Sequence, residues 1–177
     1  MRHWIFAALM SLAMTAGAQE TDTLTARHPE YLPGLAVGTQ APEIEAKDTL
    51  GRVLKLSDFR GQYVVLDFWA TWCGDCRREI PGLRALYAET HDRRIGEKSI
   101  QWLGFSFDDK ETVWRDFLRR EQLPWPQVSN LKRTRQDPTF QAYELHWIPA
   151  LLVLDPEGKI IGKAITAEGL RRCFEGL

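Results

Sequence analysis

An apolar run, Tyr63-Val64-Val65-Leu66-Asp67-Phe68-Trp69, is short, rich in β-branched and aromatic residues, and broken by a single acid. That pattern predicts a strand buried on both faces. The period then changes. Ile80, Leu83, Leu86 and Tyr87 recur at helical spacing, which predicts a helix over 73–90 with Pro81 removing one backbone hydrogen bond inside it. A second inner strand is predicted over 99–107 through Ile100, Trp102, Leu103, Phe105 and Phe107. Asp108 with Glu111 three residues on has the form of a capping box, opening a helix through Val113, Trp114, Phe117 and Leu118 that Pro124 and Pro126 end. Residues 43–46 and 52–56 flank Asp48-Thr49-Leu50-Gly51, and residues 150–154 and 159–164 flank Asp155-Pro156-Glu157-Gly158; both read as hairpins. Asp137-Pro138 starts a short helix that stops before Trp147-Ile148-Pro149, and a last helix begins at Ala167 with Leu170, Cys173, Phe174 and Leu177 on one stripe. Strands alternating with helices and ending in a hairpin predict an α/β sandwich on a mixed sheet.

The N-terminal region lies outside this pattern. Met1-Arg2-His3-Trp4, an apolar stretch from Ile5 to Ala16, and the small residues of Ala16-Gly17-Ala18 have the three-part layout of a signal peptide over 1–18. The stretch is shorter than the ~20 residues of a membrane-spanning helix, and no Cys follows it to carry a lipid. An uncleaved anchor is the alternative. Residues 19–39, with Pro29, Pro33, Gly34 and Gly38 and no periodicity, read as a flexible leader to one domain over 40–177. The expected location is periplasmic or otherwise exported, with the processed protein not integral to the membrane.

Composition narrows the chemistry. A chain of 177 residues, 44% hydrophobic and 27% charged, fits one globular domain. With 23 Lys and Arg against 24 Asp and Glu and no long run of one sign, nucleic acid is not an expected partner. Three cysteines are too few for a disulfide scaffold, and two of them share the motif Cys73-Gly74-Asp75-Cys76. A cysteine pair directly after a buried strand and at a helix start favours reversible disulfide chemistry. The helix N-terminus stabilises a thiolate on Cys73, which attacks, and Cys76, one turn in, resolves. The rival uses are a zinc half-site and a structural disulfide. Zinc would need two more ligands, whereas His28, His91 and His146 are isolated and Cys173 has no partner at metal spacing. So small a ring removes little loop entropy. Arg77 stands where c-type haem attachment would need His, and neither metal nor cofactor is expected.

Two acids are candidate proton carriers. An ionised Asp67 inside a buried strand costs several kcal/mol, so its pKa is expected to rise, and alternation puts it with Val65 and Trp69 on the face beneath the following helix. Glu79, three residues after Cys76, lies on or beside the inner face of that helix. Their plainer readings are a paired structural Asp and a rim Glu beside Arg77 and Arg78. Cys173, at helical spacing with Leu170, Phe174 and Leu177, reads as core.

The segment Phe68-Trp69-Ala70-Thr71-Trp72-Cys73-Gly74-Asp75-Cys76-Arg77-Arg78-Glu79-Ile80-Pro81, with Trp147-Ile148-Pro149 downstream, closely resembles the thioredoxin superfamily, and most nearly its exported TlpA/ResA-like branch. The resemblance runs from Ala41 to the C-terminus. It implies a thioredoxin-like three-layer α/β/α sandwich with a mixed central sheet, an added N-terminal β-hairpin and a central insertion within 109–145. It implies that Asp67 is the buried acid assisting the second cysteine, that Glu79 matches the acid of the ResA-like group, and that Pro149 is the cis-proline beside the disulfide. Ile148 then offers its backbone to substrate, and Trp72 flanks the site. The implied activity is an exported thiol-disulfide oxidoreductase reducing disulfides of envelope proteins, with electrons from a membrane thiol donor and cytochrome c maturation as one setting. A disulfide oxidant or isomerase is the enzymatic alternative, and a CxxC copper-binding chaperone without redox turnover is the other. Only three Met are present and no His lies near the motif to support copper. A thiol peroxidase would need Thr where Ala70 stands. The chain departs from the pattern at Asp75, where thioredoxins commonly carry Pro, and at Ala150, where many relatives have Thr.

Overall fold

The computed structural model describes residues 29–175 and 177; the expected export segment 1–18 and residues 19–28 of the expected leader lie outside them. Its strands are β1 (Glu45–Asp48), β2 (Val53–Lys55), β3 (Tyr63–Trp69), β4 (Arg94–Ile95), β5 (Lys98–Ser106), β6 (Gln127–Ser129), β7 (Ala150–Leu154) and β8 (Ile160–Ala164). Its α-helices are α1 (Gly74–Thr90), α2 (Glu111–Glu121), α3 (Pro138–Ala142) and α4 (Ala167–Glu175). The strands form one mixed sheet in the order β2-β1-β6-β5-β3-β7-β8, with β4 paired to β5.

Strand β3 sits between β5, which it meets in parallel, and β7, which it meets antiparallel, and is buried from Val64 to Trp69. Alternation divides its side chains between two cores. Val64, Leu66 and Phe68 pack with Phe105, Leu152 and, from α2, Trp114 and Phe117. Val65 packs with Trp102, Leu151, Leu83 and Leu86 of α1, and Leu170 and Phe174 of α4. Helices therefore cover both faces of the sheet, giving the three-layer thioredoxin-like sandwich. Both expected hairpins form; in the first, Asp48 Oδ1 accepts the N–H groups of Leu50 at 2.8 Å and Arg52 at 2.9 Å, and Gly51 takes the positive φ the turn requires. Strands β4 and β6 have two and three residues, too few to show alternation in a sequence.

Residues 29–39, read as part of a loose leader, are held against the domain. Gly34 N donates to Glu144 O at 2.9 Å, Lys163 Nζ donates to the carbonyls of Pro33 and Leu35, and Gly38 N donates to Ile160 O at 2.7 Å. Ile160 N returns a bond to Thr39 O, so this segment lies along the outer edge of β8 and satisfies backbone groups there. Pro and Gly signal irregular backbone but do not tell a free segment from a docked one.

Helices α1 and α4 meet at a tight point. Thr166 Oγ1 caps α4 by accepting Gly169 N at 3.0 Å, and Glu79 Oε2 on α1 accepts Ala167 N at 2.7 Å. Gly82 lets the helices approach, because a Cβ there would lie 2.7 Å from that of Ala167. Gly82→Val is expected to cost about 2–3 kcal/mol through overpacking. Urea unfolding checks this, and an unchanged midpoint would mean that the two helices separate freely.

Candidate active site

The site begins where β3 ends. Phe107 N donates to Trp69 O at 2.9 Å, and Asp108 then binds the loop after β3: its Oδ2 accepts Thr71 N at 3.0 Å and its Oδ1 accepts Thr71 Oγ1 at 2.6 Å. Ser106 Oγ also donates to Asp108 Oδ2, at 2.6 Å. Asp108 is thus fully engaged at Thr71 and does not form the expected capping box. Helix α2 starts later, at Glu111, after Lys110, which makes no side-chain cap. The same Asp that would cap a helix in isolation is consumed by the redox loop, whose buried N–H and hydroxyl need an acceptor.

With that loop fixed, Cys73 becomes the N-cap of α1 and its Sγ accepts Cys76 N at 3.0 Å. Cys73 and Cys76 are joined as a disulfide with Cα atoms 5.3 Å apart. The Ile148–Pro149 peptide is cis, and Cys73 Sγ lies 3.5 Å from the Ile148 carbonyl oxygen. In the reduced state the Cys73 thiol can donate to that oxygen. A groove of about 400 Å³ opens over Cys73, walled by Trp72, Trp147 and Ile148 and, from the central insertion, by Thr134, Arg135 and Phe140. Trp72 and Trp147 are 45% and 42% exposed, unusual for so apolar a residue and suited to gripping a partner chain. Trp147 stacks on Tyr31 at 5.0 Å between centroids, and Trp72 lies under the Arg133 guanidinium at 5.7 Å. Trp147 carried a signal, its place beside Ile148-Pro149, which sequence reasoning left unused; Arg135 and Thr134 carried none, since only the fold brings the insertion to the groove.

Asp67 is 3% exposed and its Oδ1 has no hydrogen-bond partner. Burial pushes its pKa up to about 7, with a weaker opposing pull from the Trp125 indole N–H. An acid with that pKa exchanges protons readily at neutral pH. Glu79 is half-buried, and one of its carboxylate oxygens is committed to the N-terminus of α4. Asp75 lies in the first turn of α1 and is ion-paired with Arg78, so its charge opposes a Cys73 thiolate less than the sequence alone suggests. Cys173 is partly buried on α4, with burial raising its pKa.

These elements define a thioredoxin-fold protein with a Cys-x-x-Cys disulfide at the start of a helix and a cis-proline beside it. Within that class the chain belongs to the AhpC/TSA family, whose model matches residues 37–163. It is 31% identical over 146 residues to the thiol-disulfide oxidoreductase ResA of Geobacillus thermodenitrificans, covering 81% of this chain and 79% of the relative. It is 29% identical over 142 residues to ResA of Bacillus cereus, covering 80% and 76%. The solved thioredoxin domain of a thiol-disulfide oxidoreductase from Bacteroides vulgatus matches with a TM-score of 0.70 at 31% identity, covering 81% of this chain and 98% of that one. The protein is a thiol-disulfide oxidoreductase.

The raised pKa of Asp67 makes stability depend on pH with a definite sign. Between roughly pH 4 and 7 the folded chain holds a proton that the unfolded chain has lost, so stability falls as pH rises through that window and levels off above it. Asp67→Asn should remove this dependence and exceed the wild type above neutrality by up to about 4 kcal/mol. Denaturant unfolding of the oxidised proteins across that range checks it; parallel pH profiles would show that Asp67 titrates normally.

Proposed function

We propose that this enzyme is exported and reduces disulfides in envelope proteins, with Cys73 as nucleophile, Cys76 as resolving thiol and Asp67 as the acceptor of the Cys76 proton. The observation that supports this reading most is the division of the pair: both cysteines are buried, Cys73 at 7% and Cys76 at 3% exposure, but Cys73 lines the aromatic groove and Cys76 does not. Reduced Cys73, as thiolate, attacks one sulfur of the substrate disulfide; a mixed disulfide forms and the other substrate sulfur leaves and takes up a proton. Cys76 gives its proton to Asp67 and attacks Cys73 Sγ, releasing the second substrate thiol and leaving the enzyme disulfide. Two electrons from a membrane dithiol donor restore the reduced pair, and cytochrome c maturation is one pathway with this demand. Trp72, Ile148 and Pro149 hold the substrate chain across the groove. Glu79 is the second proton carrier through the oxygen not bound to Ala167.

The reducing direction is favoured by the surroundings of Cys73 Sγ. It has one N–H at 3.0 Å and one carbonyl oxygen at 3.5 Å, and the oxygen stabilises a thiol over a thiolate. A strong oxidant needs the opposite, a strongly stabilised Cys73 thiolate.

Cys76→Ser is expected to accumulate mixed disulfides through Cys73 in envelope extracts, and Cys73→Ser to lose exchange to background. Trapping followed by non-reducing electrophoresis and mass spectrometry reads both. No trapped species with Cys76→Ser, or trapping that survives Cys73→Ser, would contradict the assignment of the nucleophile.

A further inference from the structure

The strand register places a gap beside Asp67. Asp67 on β3 stands next to Gly104 on β5, and Gly104 next to Gln127 on β6, so the three positions share one face of the sheet. Gly104 has no side chain to fill its place, and a Cβ there would overlap the Gln127 amide. Gln127 therefore reaches back over β5 to about one strand spacing, ~4.8 Å, from Asp67. Trp69, on the same face, fixes it by donating its Nε1 to Gln127 Oε1 at 2.9 Å. On its other side Gln127, with Trp125 and Pro126, lines a second groove of about 800 Å³ between the β1–β2 hairpin and α2, which shares no residue with the groove over Cys73. Asp67 Oδ1 and Trp125 Nε1 are both buried and neither completes a hydrogen bond of ordinary geometry, although the indole N–H acts on the acid enough to lower its pKa. Such atoms are rare, and each calls for a physical explanation.

We propose that Gln127 is the positioning residue for Asp67: its amide, laid over Gly104, separates the buried acid from the second groove and so sets the pH at which the acid exchanges its proton. That groove shares no lining residue with the groove over Cys73, so a substrate protein seated on Cys73 leaves it as the route by which the proton taken from Cys76 departs. The inference rests on Asp67 as the proton acceptor. Apart from the Trp125 indole, which pulls the pKa of Asp67 down, few other groups compete for control of it. Its strand neighbours are Gly104 and Leu151. Helix α1 offers Cys76 and Glu79, the first in the disulfide and the second bound at Ala167. Helix α4 offers apolar residues and the Cys173 thiol, which lies against Gly162. The charged rim of the second groove is paired: Arg52 with Asp48, Arg115 with Glu111 and Arg119 with Asp116.

The test is a carboxyl titration of Asp67 by NMR of ¹³C-labelled aspartate in the oxidised protein, where neither Cys73 nor Cys76 titrates. Gln127→Met keeps the length of the side chain and removes the amide, whereas Gln127→Ala opens the place over Gly104 to groove water. Against a wild-type value near 7, Gln127→Met should raise the Asp67 pKa by about one unit and Gln127→Ala lower it by about one unit. The pH of half-maximal mixed-disulfide resolution should move in the same two directions. A loss of packing alone weakens both variants and does not drive one titration in opposite directions. Titrations that coincide with the wild type, or that shift the same way, would overturn the proposal. Failure of the proton-acceptor reading looks different: Asp67→Asn would keep the wild-type pH profile of resolution while the titrations of the Gln127 variants still diverge.

Discussion

Strand β3 is hydrogen-bonded along both edges, and this double pairing fixes the height at which Trp69 leaves the sheet and Cys73 opens a helix. A strand at a sheet edge can fray or slip; one held by β5 from Tyr63 to Trp69 and by β7 from Val64 to Phe68 cannot shift without breaking two ladders. The turn from Ala70 to Trp72 inherits that rigidity through Asp108, and β7 delivers Pro149 to the other side of the disulfide because its first residue, Ala150, pairs with Phe68. The cysteine pair, the cis-proline and the groove are thus consequences of one central strand.

The same strand carries the principal cost. Burying Asp67 destabilises the fold wherever the acid is ionised, and the structure does not relieve it with a paired cation: the groups that shift its pKa are its own desolvation and one indole. A fold optimised for stability alone would place an apolar residue there, as at Val65 on the same face. The proposed mechanism gives this cost a use, because a buried thiol such as Cys76 gives up its proton poorly unless a base takes it.

Much of this was legible in the sequence. The continuous apolarity of 63–69 and the helical recurrence through Leu83 and Leu86 located β3 and α1, and one acid in an otherwise apolar strand identified Asp67. Turn residues located both hairpins. What escaped depended on non-local pairing. Asp108 carries a good capping pattern, yet Thr71, far earlier in the chain, claims it. Residues 29–39 look like linker and are docked through backbone bonds, two carbonyls held by Lys163 and a Tyr31–Trp147 stack, all made to residues far along the chain. Gln127 carries no sequence signal, because only the register sets it next to Gly104 and so in line with Asp67, and Thr134 and Arg135 reach the groove only through the folding of the insertion.

The chemistry that unites these parts is thiol-disulfide exchange at Cys73 and Cys76, and the direction proposed for it is transfer of a disulfide from a substrate protein to this pair. That proposed direction rests on the Ile148 carbonyl oxygen, 3.5 Å from Cys73 Sγ, which opposes the thiolate that the helix N-terminus and the Cys76 N–H favour. The most direct measurement is the reduction potential of the Cys73–Cys76 pair, by equilibration in thiol buffers with acid trapping and mass spectrometry. A value near or below about −230 mV is predicted, in the range of a thioredoxin-like reductant. A value near about −120 mV would make the protein an oxidant and contradict the account.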